Sequence, residues 1–231
     1  NTAEAERTDQ DKVRIIQLDN LDGWIQQART ALSDGRRDLH RLDGRAAHGR
    51  AETALGDLKR AREQLLDPVT VMKAIAGDQL ELMAHTAALA ELRGGTGLRA
   101  TAAAPPPAAA VPDWLTTDHL VARQAAHRDR AGEVLARFRA GLEAQAAQPP
   151  PAADPATGAA PAQDPAQQKM IVALGEAVPH LEAATAAMQE AGDALTGDDL
   201  SRAPDAEQRG LEALARAIER FADLRQIIDL A

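Results

Sequence analysis

The chain has 231 residues, 35 acidic and 26 basic side chains, a net charge of −9, no cysteine and only 2% aromatic residues. Disulfides, zinc–cysteine sites and thiol chemistry are therefore excluded, and the negative balance argues against general nucleic-acid binding because phosphates repel it. No run approaches the roughly 18 apolar residues that cross a bilayer, so membrane attachment is expected only through segments outside this chain.

The first predicted helix covers about 9–32, where Ile15, Leu18, Ile25, Ala28 and Leu32 recur at three- and four-residue steps, with Leu21 widening the stripe. Ser33-Asp34-Gly35 reads as a stop and a new start. A second helix follows over about 36–66. Its Ala47, Ala51, Ala54, Leu58, Ala61 and Leu65 form a narrow coiled-coil-like seam, and a break or bend is expected near Gly44–Gly49 because each glycine weakens a helix. Asp67-Pro68 supplies an N-cap and a first helical residue for a third helix over about 68–92, with Val69, Met72, Ile75, Met83 and Leu89 apolar. Arg93-Gly94-Gly95-Thr96-Gly97 ends it.

Ten of the thirteen prolines lie in two alanine-rich stretches, 101–112 and 148–165. Proline removes a helical N–H and clashes with the preceding turn, so these stretches read as flexible tethers. Between them Thr116 caps a fourth helix, Leu115 and Leu120 sit as a hydrophobic staple, and Leu120, Gln124, His127, Ala131, Val134, Phe138 and Leu142 share one face. A fifth helix over about 168–196 keeps heptad spacing through Ile171, Leu174, Val178, Leu181, Thr185, Met188, Gly192 and Leu195, with a kink or restart expected at Pro179. A sixth, about 203–230, carries Leu211, Leu214, Ile218, Phe221, Leu224 and Ile228 as a helix-packing interface. The expectation is an all-α protein, an elongated antiparallel bundle of about six helices with two Ala/Pro-rich linkers. Its parts are a three-helix unit at 1–93, a linker at 94–112, one long helix at 113–146, a linker at 147–167 and a hairpin at 168–231, which packs with 1–146 or stands apart.

Candidate sites are few. Arg37, Arg41, Arg45 and His48 are placed on one side of the second helix, where an anionic partner would bind; the interleaved Asp34, Asp38 and Asp43 weaken that field and favour a solvated, salt-bridged face. His85 follows Glu81, and His180 follows Glu176, by four residues, a spacing that holds a metal on some helices. No histidine has glutamate three residues before it, so the usual di-iron spelling is missing, and surface charge pairs explain both cases better. Gly94–Gly97 lacks the Lys-Ser/Thr of a phosphate loop. No Ser-His-Asp or Gly-x-Ser-x-Gly arrangement is present. No catalytic residue, cofactor or metal is therefore expected.

The segment 181–224, with A-M-x-x-A-x-x-A-L, then G-D, then A-x-x-x-Q-x-x-x-L-x-x-L, resembles a helical hairpin of bacterial proteins encoded beside MoxR-type ATPases and von Willebrand A-domain proteins. The same hairpin is similar to a tetratricopeptide unit, without the 34-residue repetition. The first resemblance implies an envelope-associated interaction protein, on the periplasmic side rather than in the cytoplasm. The expected function is a non-enzymatic helical scaffold that binds protein partners or itself through helix faces, as a subunit of a larger assembly. The alternative is a helical sensor or carrier of a small ligand or metal, with His85, His127 and His180 the residues to inspect. The start at Asn1 reads as a processed or partial form, and the apolar ending LRQIIDLA suggests that more chain follows.

Overall fold

The computed structural model describes residues 9–94, 112–147 and 165–222. All six elements among them are α-helices: α1 (Asp9–His40), α2 (Gly44–Glu63), α3 (Pro68–Gly94), α4 (Thr117–Ala147), α5 (Pro165–Thr196) and α6 (Ala203–Glu219). The all-α expectation holds. The chain divides into two compact units, Asn1–Val71 and Met72–Ala231. The boundary falls in the first turn of α3, which from Met72 onward belongs with α4, α5 and α6 rather than in a unit over 1–93.

In the first unit α1 runs through Ser33-Asp34-Gly35 without a break. Gly35 is not a stop but a close approach: a Cβ there would lie 3.2 Å from Cβ of Arg50 on α2. The turn comes later, at Arg41-Leu42-Asp43, with Leu42 in the left-handed region at φ 62°. Asp43 then caps α2, accepting from the Ala46 N–H at 2.9 Å. The helices run antiparallel, with Asp38 near Arg50 and the Arg60 guanidinium 4.7 Å from the Trp24 ring centroid.

The second unit is an up-down-up-down four-helix bundle. Capping works where the sequence places it: Asp67 accepts from the Thr70 N–H at 3.0 Å, and Thr116 from the His119 N–H at 3.2 Å. Pairs between neighbouring helices run in opposite directions. Asp78 and Glu81 of α3 meet Arg130 and Arg123 of α4. Arg139 meets Glu182 of α5, and Arg220, just beyond α6, meets Glu176. Each helix buries a seam at alternating three- and four-residue steps, the packing of left-handed bundles.

On α4 the seam is the expected face, except that Leu142 is half-buried. On α5 it is rotated. Ala177, Leu181, Ala184, Met188, Ala191 and Leu195 are buried, whereas Ile171, Leu174, Val178, Thr185 and Gly192 are only half-buried. The helix neither stops nor restarts at Pro179, which lies on the exposed side. There the missing N–H orphans only a carbonyl that water can reach. On α6 the seam is Ala203, Glu207, Gly210, Leu214, Ala217 and Phe221. Of the expected interface, Leu214 and Phe221 are buried and Leu211 and Ile218 half-buried, while Leu224 and Ile228 lie outside the described residues. α6 ends at Glu219, and the expected continuation from 223 to 230 lies outside the described residues; Phe221, in the turn after α6, meets Phe138 with ring centroids 5.6 Å apart.

Candidate functional site

Two features stand out from this frame, a polar layer in the bundle and an apolar flank on the hairpin. In the bundle, core positions that a simple seam would fill with leucine hold Gln79 and Thr86 on α3, Gln124 and His127 on α4, and Glu207 on α6, all buried. Gln79 and Gln124 form a reciprocal amide pair. Gln79 Nε2 donates to Gln124 Oε1 at 3.0 Å and Gln124 Nε2 donates back at 3.3 Å. His127 Nδ1 lies 3.2 Å from Gln79 Oε1; since that oxygen only accepts, Nδ1 carries the proton. Beside them Arg130 donates to Asp78 at 2.5 Å, both side chains largely buried. The amide pair closes at one axial register of α3 against α4. A slip of a turn leaves two buried amides unsatisfied, so the layer specifies alignment.

Higher in the bundle Thr86 Oγ1 lies 3.1 Å from the Leu82 carbonyl and 2.8 Å from Glu207 Oε1, and Glu207 Oε2 is buried with no partner. Burial holds this carboxyl above the usual glutamate range, opposed by the hydrogen bond from Thr86. At the bundle's end Arg93, Thr117 and Asp198 join α3, α4 and the α5–α6 turn: Arg93 pairs with Asp198 and donates to Thr117 Oγ1 at 2.8 Å, and Thr117 donates to Asp198 at 2.9 Å. These bonds hold the Asp198 carboxyl below its usual range. A cleft of about 410 Å³ opens there, lined also by Thr116, Asp118 and Leu195. Of its polar side chains, Arg93, Thr117 and Asp198 are engaged with one another, and Thr116 and Thr196 bond to backbone.

The hairpin inverts the usual arrangement of side chains. Between α1 and α2 lie Ala28, Ala31, Gly35, Ala47, Ala54 and Ala61, all small and buried. The large apolar side chains are outside: Leu18, Ile25, Leu32 and Leu39 on α1, Leu58 on α2 and Leu65 in the turn just beyond it are 36% to 70% exposed. The seam expected from Ala47 to Leu65 thus divides, every second member facing α1 and Ala51, Leu58 and Leu65 facing water. Each exposed stripe follows its buried seam by four residues (Ala28 to Leu32, Ala54 to Leu58). In an antiparallel pair those flanks fall on the same side, so the two stripes make one face. Leu55 widens it, and the other edge of α1 carries Ile16, Asn20, Gln27 and Asp34.

The remaining sequence candidates separate. Arg37 closes α1 and pairs with Asp34, Arg41 is in the turn, and Arg45 and His48 begin α2. The four do not share one side of a single helix. Arg123 spans His85 and Glu81, at 3.3 Å to each, and Glu176 pairs with Arg220. Among the described residues no three His, Asp or Glu side chains converge as metal ligands, and no helix is long and apolar enough to cross a membrane. No protein family, curated protein or solved structure matches the chain.

Proposed function

We propose that the chain is a non-enzymatic interaction module that docks protein through the α1–α2 flank, with the α3–α6 bundle as its rigid partner domain. The observation that carries this reading is the inverted hairpin. Its internal seam is alanine and glycine, while leucine and isoleucine at seven-residue spacing face outward. Isolated helical hairpins held by alanine are marginal, and contiguous apolar faces of this kind mark interaction sites. The bundle's exposed apolar side chains among the described residues, Leu80, Leu92, Met170 and Val172, form no such stripe. The resemblance of 181–224 to envelope-associated hairpin proteins suggests an envelope assembly as the setting.

The test is capture with the immobilised full chain against a variant bearing Ile25→Glu and Leu32→Glu. Both positions are exposed, so helix content by circular dichroism should be unchanged. Binding partners, a second copy included, should be retained by the native chain and lost by the variant. The same set bound by both would refute the reading.

A further inference from the structure

We infer that the occupant of the α1–α2 flank is the same flank of a second copy, the two hairpins stacking with opposite polarity into a four-helix bundle. The inference rests on the interaction reading above and names its partner.

The face is self-complementary in three ways. The first is period. Leu18, Ile25, Leu32 and Leu39 keep a strict seven-residue repeat, which suits a helix that supercoils against another helix rather than a flat surface. The stripe covers about 32 Å of helix. A stripe of that length calls for a long helix as its partner.

The second is level. Trp24 stands opposite Arg60, and Gly35 opposite Arg50. The middle of the α1 stripe, between Ile25 and Leu32, is therefore level with Leu55 and Leu58, the middle of the α2 stripe. One two-fold axis through that level, perpendicular to the helices, serves both. It sets Leu18 against Leu39 of the second copy, Ile25 against its Leu32, and Leu58 against its Leu58.

The third is charge. The hairpin tip, 29–50, carries six arginines against Asp34, Asp38 and Asp43, whereas the open end of α1, 9–22, carries four aspartates against Lys12 and Arg14. The two-fold brings each tip over the other copy's open end, with Asp22 near Arg36 of the second copy. Parallel stacking would put tip on tip and set like charges together. On α1, Arg29 meets its own counterpart at the axis, and it bonds along its helix to Gln26. Six large side chains per copy, each a third to seven-tenths open, give a face in the range of small stable interfaces.

Sedimentation equilibrium of the full chain across micromolar concentrations is the first measurement, with a mass of twice 24.4 kDa expected. Leu32→Glu with Leu58→Glu should weaken association by at least ~100-fold with helix content unchanged. The register is tested by single thiols, since the chain has no cysteine. Ile25→Cys and Leu32→Cys chains carrying different tags should cross-link with each other far faster than either does with itself. A native chain that stays monomeric, a dimer indifferent to the two glutamates, or like-with-like cross-linking would each overturn the inference. A monomer whose flank glutamates abolish capture of a different protein would overturn self-pairing while leaving the interaction reading intact.

Discussion

Replacing Glu207 by glutamine isolates the one buried carboxyl that the bundle leaves half-satisfied. The Thr86 hydroxyl has a single proton and two acceptors within reach, the Leu82 carbonyl at 3.1 Å and Glu207 Oε1 at 2.8 Å. If Glu207 keeps its proton, it donates to Thr86, Thr86 donates to Leu82, and the chain of bonds closes. If it ionises, the charge sits in a fully buried site with one neutral donor, and Oε2 has nothing. Burial therefore raises the carboxyl's affinity for its proton. Above the ordinary glutamate range the native state holds a proton that the unfolded chain has released, so the contribution of this group falls as pH rises. It is fully present below the unfolded value and lost through the folded one, at up to about 1.4 kcal/mol per pH unit. Glu207→Gln keeps the shape and cannot ionise. Urea unfolding followed by circular dichroism, from acid to neutral pH, should show native stability declining relative to the variant, with the variant the more stable at neutral pH. Thr86→Val in the native background should cost about 1–3 kcal/mol by stripping the only partner. Parallel pH curves for the native and Glu207→Gln chains would refute the protonated relay.

Two further outcomes follow from the same geometry. Gln79→Leu alone strands the Gln124 amide and removes the Gln79 acceptor of His127, costing about 1–3 kcal/mol, whereas Gln79→Leu with Gln124→Leu should recover the share lost at Gln124, but not that lost at His127, in chemical denaturation. Leu42 is 93% exposed and sits at φ 62°. Leu42→Gly should raise the melting temperature of the hairpin, by about 1 kcal/mol of relieved left-handed strain, and an unchanged transition would count against that account.

Most helix positions were legible because their punctuation is chemical. Asp67-Pro68 and Thr116 state where a helix starts, and the capping bonds form there; the two alanine–proline linkers fall almost wholly outside the described residues. The failures share a cause. Ser33-Asp34-Gly35 reads as a stop and a new start, but here the missing Cβ of Gly35 admits the backbone of α1 close to Arg50. The true turn centres on a leucine in a conformation leucine rarely takes, which no propensity announces. On α5 the stripe of large residues drew the reading, while the buried face is half alanine. A helix that packs closely chooses its smallest side, and a pattern weighted by size points a few tens of degrees away. The polar layer was half visible, since Gln124 and His127 fell on the apolar face of α4. Glu207 was not, because a glutamate among alanines on α6 has the spelling of a surface residue. The outward turn of the α1–α2 leucines needed the helix pair itself, because period alone does not say which partner a stripe faces.

The alanine seams of α5 and α6 also set how this fold should respond to temperature. Apolar surface newly wetted on unfolding is what raises the heat capacity, and Ala177, Ala184, Ala191, Ala203 and Ala217, all buried, expose little of it. A bundle cored in this way has a small heat-capacity increment per residue and hence a shallow, wide stability dome. It should lose little on chilling, melt gradually rather than abruptly, and show a weak denaturant slope for its length.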